Sequence, residues 1–299
     1  TLTAYGEHAQ EAVDKAAERV EALDALLSTG DENSEIYQLN QKGEATLSED
    51  GGYLVERALE LYKKTDGAFD IAIYPVMQAW GFPTQEYHVP DDATLKEKLI
   101  LADASKVNYD KDTRKISFDR DGMEIDLGGI AKGYTSAQIM QIYQDCGVTS
   151  GLVNLGGNVQ ALGCKTDGSK WKVAIQSPDD TEDYLGILEI ENQAVITSGG
   201  YERYFEEDGV TYHHIIDPAT GYPADSGLIS VTIVSDDGTL ADGLSTSLFI
   251  MGEEKAAEFW KAHSDEFEAI LATDDGTIYV TEGLKDSFTT DLDMKVITK

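Results

Sequence analysis

The chain is short of several things. Cysteine occurs twice in 299 residues, at Cys146 and Cys164. Two cysteines supply neither a disulfide framework nor a thiolate metal cluster, so both read as ordinary small side chains. Lysine plus arginine number 23 against 56 Asp and Glu, a formal net charge of −33. A surface that negative repels phosphate backbones, which excludes nucleic acid, and disfavours anionic lipid for the same reason. No apolar run approaches the roughly 18 residues of a membrane-spanning helix. The chain opens TLTAYGEHAQ, without a starting Met or the basic region of a secretory signal. Repeats, low-complexity tracts and long linkers are also missing. What is present is a globular composition, with 41% hydrophobic residues and 28 glycines.

Apolar spacing predicts helices over 9–27, 52–65, 92–101, 130–145, 239–251 and 253–263. It predicts strands over 105–109, 114–119, 122–126, 151–155, 159–163, 171–176, 185–190, 194–197, 211–216, 228–235, 267–273 and 277–282. Residues 28–34 read as a turn, and 68–83 as a mixed apolar stretch broken by Pro75 and Pro83. Strands cluster after residue 104, with helices before and between them. That order implies an α+β fold with mixed or antiparallel sheets flanked by helices, not a doubly wound sheet. The expectation is one compact unit over 1–299 with two lobes, about 1–104 and 105–299.

Three features carry possible chemistry. Glycines gather at Gly128-Gly129, Gly133, Gly156-Gly157 and Gly199-Gly200. They are either turn glycines or places where backbone approaches a ligand closely. The first pair sits at a helix start, where N–H groups favour an anion. The spacing is neither a dinucleotide fingerprint nor a Walker loop. Asp242 and Thr246 lie four apart on a predicted helix and share one face. One carboxylate and one hydroxyl would suit Mg²⁺; the other reading of Asp242 is a helix cap or ion pair. His213 and His214 end a predicted strand beside the turn Asp217-Pro218-Ala219-Thr220-Gly221. One of them is a candidate general base, or both are structural.

Taken together, these stretches resemble the FAD:protein FMN transferase (ApbE-type) family over nearly the full length. The matching strings are Ser34-Glu35-Ile36 with Asn40, Gly67-Ala68-Phe69-Asp70 and Trp80-Gly81-Phe82. Then follow Asp126-Leu127-Gly128-Gly129-Ile130-Ala131-Lys132-Gly133-Tyr134 and Asn154-Leu155-Gly156-Gly157-Asn158. Thr197-Ser198-Gly199, His214-Ile215-Ile216-Asp217-Pro218 and Ala241-Asp242-Gly243-Leu244-Ser245-Thr246 complete the order.

The resemblance implies Mg²⁺ held by Asp242, Thr246 and the backbone carbonyl of Gly129. Ser245 stands where some members carry a second metal-binding Asp. Ala79, Trp80, Gly81, Asp126, Lys132 and Ile215 match flavin-contact positions, and His214 matches the base that activates the acceptor. Gly30 stands where several relatives carry an aromatic that stacks on the flavin. The implied reaction is Mg²⁺-dependent transfer of FMN from FAD to a Ser or Thr hydroxyl of an acceptor flavoprotein, releasing AMP. The rival readings are hydrolysis of FAD to FMN and AMP, and FAD binding without turnover. The implied partner is a flavoprotein domain of a membrane electron-transfer complex. The implied location is outside the cytoplasmic membrane, as a lipoprotein whose signal and anchor precede Thr1.

Overall fold

The structure is a computed structural model describing residues 1–178, 180 and 183–299. Its elements begin β1 (Leu2–Tyr5), α1 (Ala9–Leu27), α2 (Glu35–Lys42), β2 (Glu44–Thr46), α3 (Glu49–Lys64), α4 (Tyr74–Ala79) and α5 (Asp92–Leu99). They continue with β3 (Val107–Asp110), β4 (Lys115–Phe118), α6 (Gly128–Asp145), β5 (Ser150–Leu155), β6 (Asn158–Leu162), β7 (Trp171–Gln176), β8 (Tyr184–Ile190) and β9 (Ala194–Gly199). Then come β10 (Tyr204–Glu207), β11 (Val210–His213), β12 (Leu228–Ser235), α7 (Gly238–Met251), α8 (Glu253–His263), β13 (Glu268–Thr273), β14 (Ile278–Thr281), β15 (Phe288–Thr289) and β16 (Met294–Ile297).

The chain divides into two compact units that interleave in sequence. One comprises Thr1–Glu21, Lys132–Tyr201 and Asp225–Lys299; the other comprises Ala22–Ala131 and Glu202–Ala224. The division does not fall near residue 104, because β1 pairs antiparallel with β5, matching Leu2 to Val153. The chain's first strand therefore belongs with its later sheet.

The first unit is built on an eight-stranded sheet ordered β1-β5-β6-β9-β12-β13-β14-β16. Every pairing in it is antiparallel except β14 with β16. One face packs on the small sheet β15-β8-β7 through Val159, Val195, Val234, Ile270 and Val280 against Trp171, Val173, Leu188 and Phe288. Strand β7 alternates buried and exposed residues along its length, as a strand with one covered face must. A second core joins Ala12 and Ala16 of α1 to Ile139, Met140 and Tyr143 of α6 and Val153 of β5. Helix α7 lies on β9 and β12 and is buried at most of its positions.

The second unit carries α2 to α5, the small sheet β2-β4-β3, and the hairpin β10–β11. Its core is rich in rings: Tyr74, Trp80 and Phe82 with Tyr87, Phe205 and Tyr212. Asp70 ties this unit together. Its carboxylate accepts N–H bonds from Ala72 at 2.8 Å and Ala104 at 3.2 Å. Burial raises its pKa to about 6, against the pull of those two donors.

The expected strand over 122–126 is not a strand. Met123, Ile125 and Leu127 are buried alternately, but no strand pairs with them. The side chain of Asn40 brackets Ile125 instead, donating to its carbonyl at 2.9 Å and accepting its N–H at 2.8 Å. The expected strand over 211–216 stops at His213. Helix α2 goes unpredicted; it starts where Ser34 Oγ accepts the Tyr37 N–H and ends at Gly43, whose φ is 73°. Strands β1, β2, β10, β15 and β16, of two to four residues, go unpredicted. No helix among the described residues is long and apolar enough to cross a membrane.

The raised Asp70 pKa fixes a sign. The folded chain holds that proton at a pH where the unfolded chain has lost it, so the stabilisation is present below about pH 4 and is lost as pH rises through about 6. Asp70→Asn should flatten the dependence of the thermal midpoint on pH between 4 and 6. An unchanged slope would show that another group sets it.

Candidate active site

In the first unit, the helices α6 and α7 meet at two glycines. A Cβ on Gly133 would lie 2.1 Å from the Gly238 carbonyl oxygen and 2.7 Å from the Asp242 Cβ. Only hydrogen fits there. The close approach lets the Gly133 N–H donate to Asp242 Oδ2 at 2.7 Å. In a regular helix that amide would serve the carbonyl four residues back, which is Gly129. Asp242 is 5% exposed, and burial raises its pKa to about 6. The Lys132 charge, the Gly133 N–H and the Asn158 side chain pull the other way.

Thr246, one turn further along α7, is half-buried. Ser245 is fully buried and its hydroxyl is committed inside the protein. It donates to the Asp242 carbonyl at 2.8 Å and meets Ser198 Oγ at 2.7 Å. Ser198 Oγ in turn lies 3.4 Å from Thr246 Oγ1. Ser245 thus links the Asp242 main chain to Ser198.

Two buried amides lie on the helix-facing side of β6. Asn158 is 1% exposed and Gln160 is 6% exposed. Asn158 Nδ2 and Gln160 Oε1 have no hydrogen-bond partner among the described residues. An unsatisfied buried group costs about 1–3 kcal/mol, so two side by side ask for an explanation.

In the second unit, Asp126 prepares the start of α6. Its Oδ1 accepts the Gly128 N–H at 2.8 Å, and its own N–H donates to Ile71 at 2.9 Å. Burial raises its pKa, offset by that N–H and by the Arg203 charge. The expected anion site at Gly128-Gly129 is therefore partly filled by the protein's own carboxylate. Gly129 is half-buried, with Phe69 3.1 Å from where its Cβ would be.

His214 follows β11 directly. Its N–H donates to the Arg203 carbonyl at 3.0 Å, and its Nδ1 lies 3.1 Å from the same oxygen. A carbonyl only accepts, so Nδ1 carries the hydrogen and the neutral ring has its lone pair on Nε2. His213 is held differently. Its Nε2 meets the Ala224 carbonyl at 3.1 Å and its Nδ1 accepts the Ile215 N–H at 3.3 Å. Both of its ring nitrogens serve the backbone, which makes His214 the candidate base.

Ile215 is buried. Trp80 is 0% exposed, donates Nε1–H to the Gly221 carbonyl at 2.8 Å, and packs 5.3 Å from Tyr212 and 5.6 Å from Tyr222 between ring centroids. It is a packing residue of this unit, and Ala79 is the half-buried member of its segment. Gly81, at φ 75°, is required because a Cβ would meet the Glu86 carbonyl oxygen at 2.0 Å. A groove of about 980 Å³ lies elsewhere in this unit, lined by Thr46, Leu59, Tyr62, Asn108, Tyr109 and Lys115. It holds none of the motif residues and is not the candidate site.

A family model described as the ApbE family matches residues 1–271. The chain belongs to the ApbE family. A Klebsiella pneumoniae member, named FAD:protein FMN transferase, is 35% identical over 258 residues, 85% of this chain and 79% of its own. A Treponema pallidum member of the same name is 37% identical over 248 residues, 77% of this chain and 68% of its own. The crystal structure of the Thermotoga maritima ApbE protein superposes with a TM-score of 0.89 at 30% identity, covering 96% of this chain and 94% of that one.

Sequence reasoning assigned no role to Ser198, Asn158 or Arg203. Ser198 and Asn158 lie inside motif strings, which was the available signal; Arg203 lay in none. Gly133→Ala should cost about 1–3 kcal/mol, because backbone and not a flexible side chain blocks the new methyl. Thermal unfolding measures it; a neutral result would show that α6 and α7 separate without penalty.

Proposed function

We propose that the chain is an FAD:protein FMN transferase, which moves FMN from FAD onto a Ser or Thr hydroxyl of an acceptor protein. The observation that carries the reading is the buried Asp242 carboxylate beside Thr246, in a chain of net charge −33. Such a chain repels the FAD diphosphate unless positive charge is placed locally.

The donor set fits Mg²⁺. Among the described residues no group of three or more His, Cys, Asp or Glu side chains comes together, so a zinc-type cluster is not offered. What is offered is hard oxygen, which suits Mg²⁺. Asp242 and Thr246 would hold the ion, with the Ser245 hydroxyl engaged in internal bonds. When bound, the ion neutralises diphosphate charge and the charge developing on the leaving phosphate.

The chain's own residues do the rest. Lys132 brings an exposed ammonium near Asp242, and Arg203 an exposed guanidinium near Asp126. Asp126, Ala79, Gly81 and Ile215 line the flavin side. His214 Nε2 takes the proton of the acceptor hydroxyl. The hydroxyl oxygen bonds to the phosphorus on the FMN side, the bond to the AMP phosphate breaks, and AMP leaves with the electron pair. We infer an acceptor flavoprotein domain working in electron transfer outside the cytoplasmic membrane.

The test is a transfer assay with FAD, Mg²⁺ and a candidate acceptor domain, read as flavin fluorescence on the denatured acceptor and as released AMP. His214→Ala should keep FAD binding and slow transfer roughly 10²–10⁴-fold; unchanged transfer would remove it as the base. Asp242→Ala should lose Mg²⁺-dependent transfer while circular dichroism stays native. Full activity in that variant at ordinary Mg²⁺ would refute the metal role.

A further inference from the structure

The main-chain carbonyl of Arg203 receives both the N–H and the Nδ1 hydrogen of His214. Strands β10 and β11 pair Tyr204 with His213 and Phe205 with Tyr212. The next rung of that hairpin joins Arg203 to His214. Side chains alternate along a strand, so Arg203 and His214 share the face that carries Phe205 and Tyr212. Opposed residues on one face have Cβ atoms about 4.5–5.5 Å apart. This face packs on Trp80 and Phe82, with Tyr212 5.3 Å from Trp80 and Phe205 5.8 Å from Phe82 between ring centroids. The Arg203 side chain follows it: the guanidinium Cζ stands 5.7 Å from the centre of the Phe82 ring.

A ring attracts a guanidinium as a charge and uses none of its five N–H donors. Among the described residues those donors have no hydrogen-bond acceptor, and no carboxylate stands within ion-pair distance of them. A chain with 56 acidic and 23 basic residues has carboxylates in excess, yet this cation is kept apart from them. Asp126 feels the Arg203 charge, but its Oδ1 is bonded to the Gly128 N–H at 2.8 Å. What results is an exposed planar fork, held over a ring, with its donors unspent and the candidate base beside it. Such a fork matches the oxygens of a phosphate two at a time.

We propose that Arg203 is a phosphate-binding residue, whose guanidinium takes the FMN-side phosphate of the flavin nucleotide while its carbonyl holds His214. This rests on the reading of the chain as an FMN transferase with His214 as the base. A base that takes the acceptor's proton stands next to the oxygen that attacks, and that oxygen approaches phosphorus to about 3–3.5 Å. The position of His214 therefore fixes where the phosphate sits, within a side chain's length of the opposite residue on its rung. Two N–H groups of the fork donate to non-bridging oxygens of that phosphate. One residue then supplies both the charge that draws the phosphate in and the acceptor that sets the tautomer of the base.

The experiment compares FMN with riboflavin, which differ only by the phosphate. Flavin fluorescence is titrated with the full chain, divalent ions being chelated, for the unmodified protein, Arg203→Met and Arg203→Lys. Methionine keeps a stem over Phe82 and leaves the main-chain carbonyl in place. The unmodified chain should bind FMN more tightly than riboflavin. Arg203→Met should weaken FMN binding roughly tenfold and leave riboflavin binding unchanged. Arg203→Lys should recover part of the loss, since it restores the charge without the fork. Equal affinity of the unmodified chain for the two flavins, or unchanged FMN affinity in Arg203→Met, overturns the proposal. An equal loss for both flavins overturns it as well and makes Arg203 a packing partner of Phe82. Failure of the parent reading looks different: the unmodified chain then binds neither flavin, and this inference falls with it.

Discussion

The hydrogen bond from the Gly133 N–H to the Asp242 carboxylate is the contact on which the first unit's site depends. It requires α6 and α7 to touch, and they touch only because positions 133 and 238 have no side chain. The same contact gives a buried carboxylate its first partner. Lys132, one residue before, then lies close enough to favour the charged form. Local cation and buried anion reinforce one another at one point.

This arrangement answers a problem set by composition. A chain with 56 acidic and 23 basic residues has little positive charge to spend on an anionic substrate. It does not gather lysines. It buries the Asp242 carboxylate, sets single basic side chains at Lys132 beside Asp242 and at Arg203 beside Asp126, and caps the start of α6 with Asp126. Each carboxylate is held by backbone amides, whose positions are set by the fold and not by flexible side chains.

Much of this was legible in the sequence, and the limits have physical causes. The helices Ala9–Leu27 and Glu253–His263 and the strands Trp171–Gln176 and Leu228–Ser235 have the bounds that apolar period alone gives. The spacing of Asp242 and Thr246 placed both on one helix face. Residues 122–126 show the reverse: the period was genuine, but the bonding partner is the Asn40 side chain, 85 positions away in sequence. Local pattern reports which face is buried and is silent about what satisfies the backbone. Gly133 and Asp242 are 109 positions apart, so no window of sequence contains their bond. The two histidines illustrate the same limit, since only their carbonyl neighbours tell which ring nitrogen carries the hydrogen.

The row of hydroxyls at Ser245, Ser198 and Thr246 has a built-in direction. A peptide oxygen can take a hydrogen but never give one, so Ser245 must point its hydrogen at Asp242 and receive one from Ser198. Ser198 then has only acceptance left to offer Thr246. The last hydroxyl turns its hydrogen inward and presents lone pairs outward before anything binds. A single main-chain carbonyl thus sets the direction of a row of hydroxyls that ends at the half-buried Thr246.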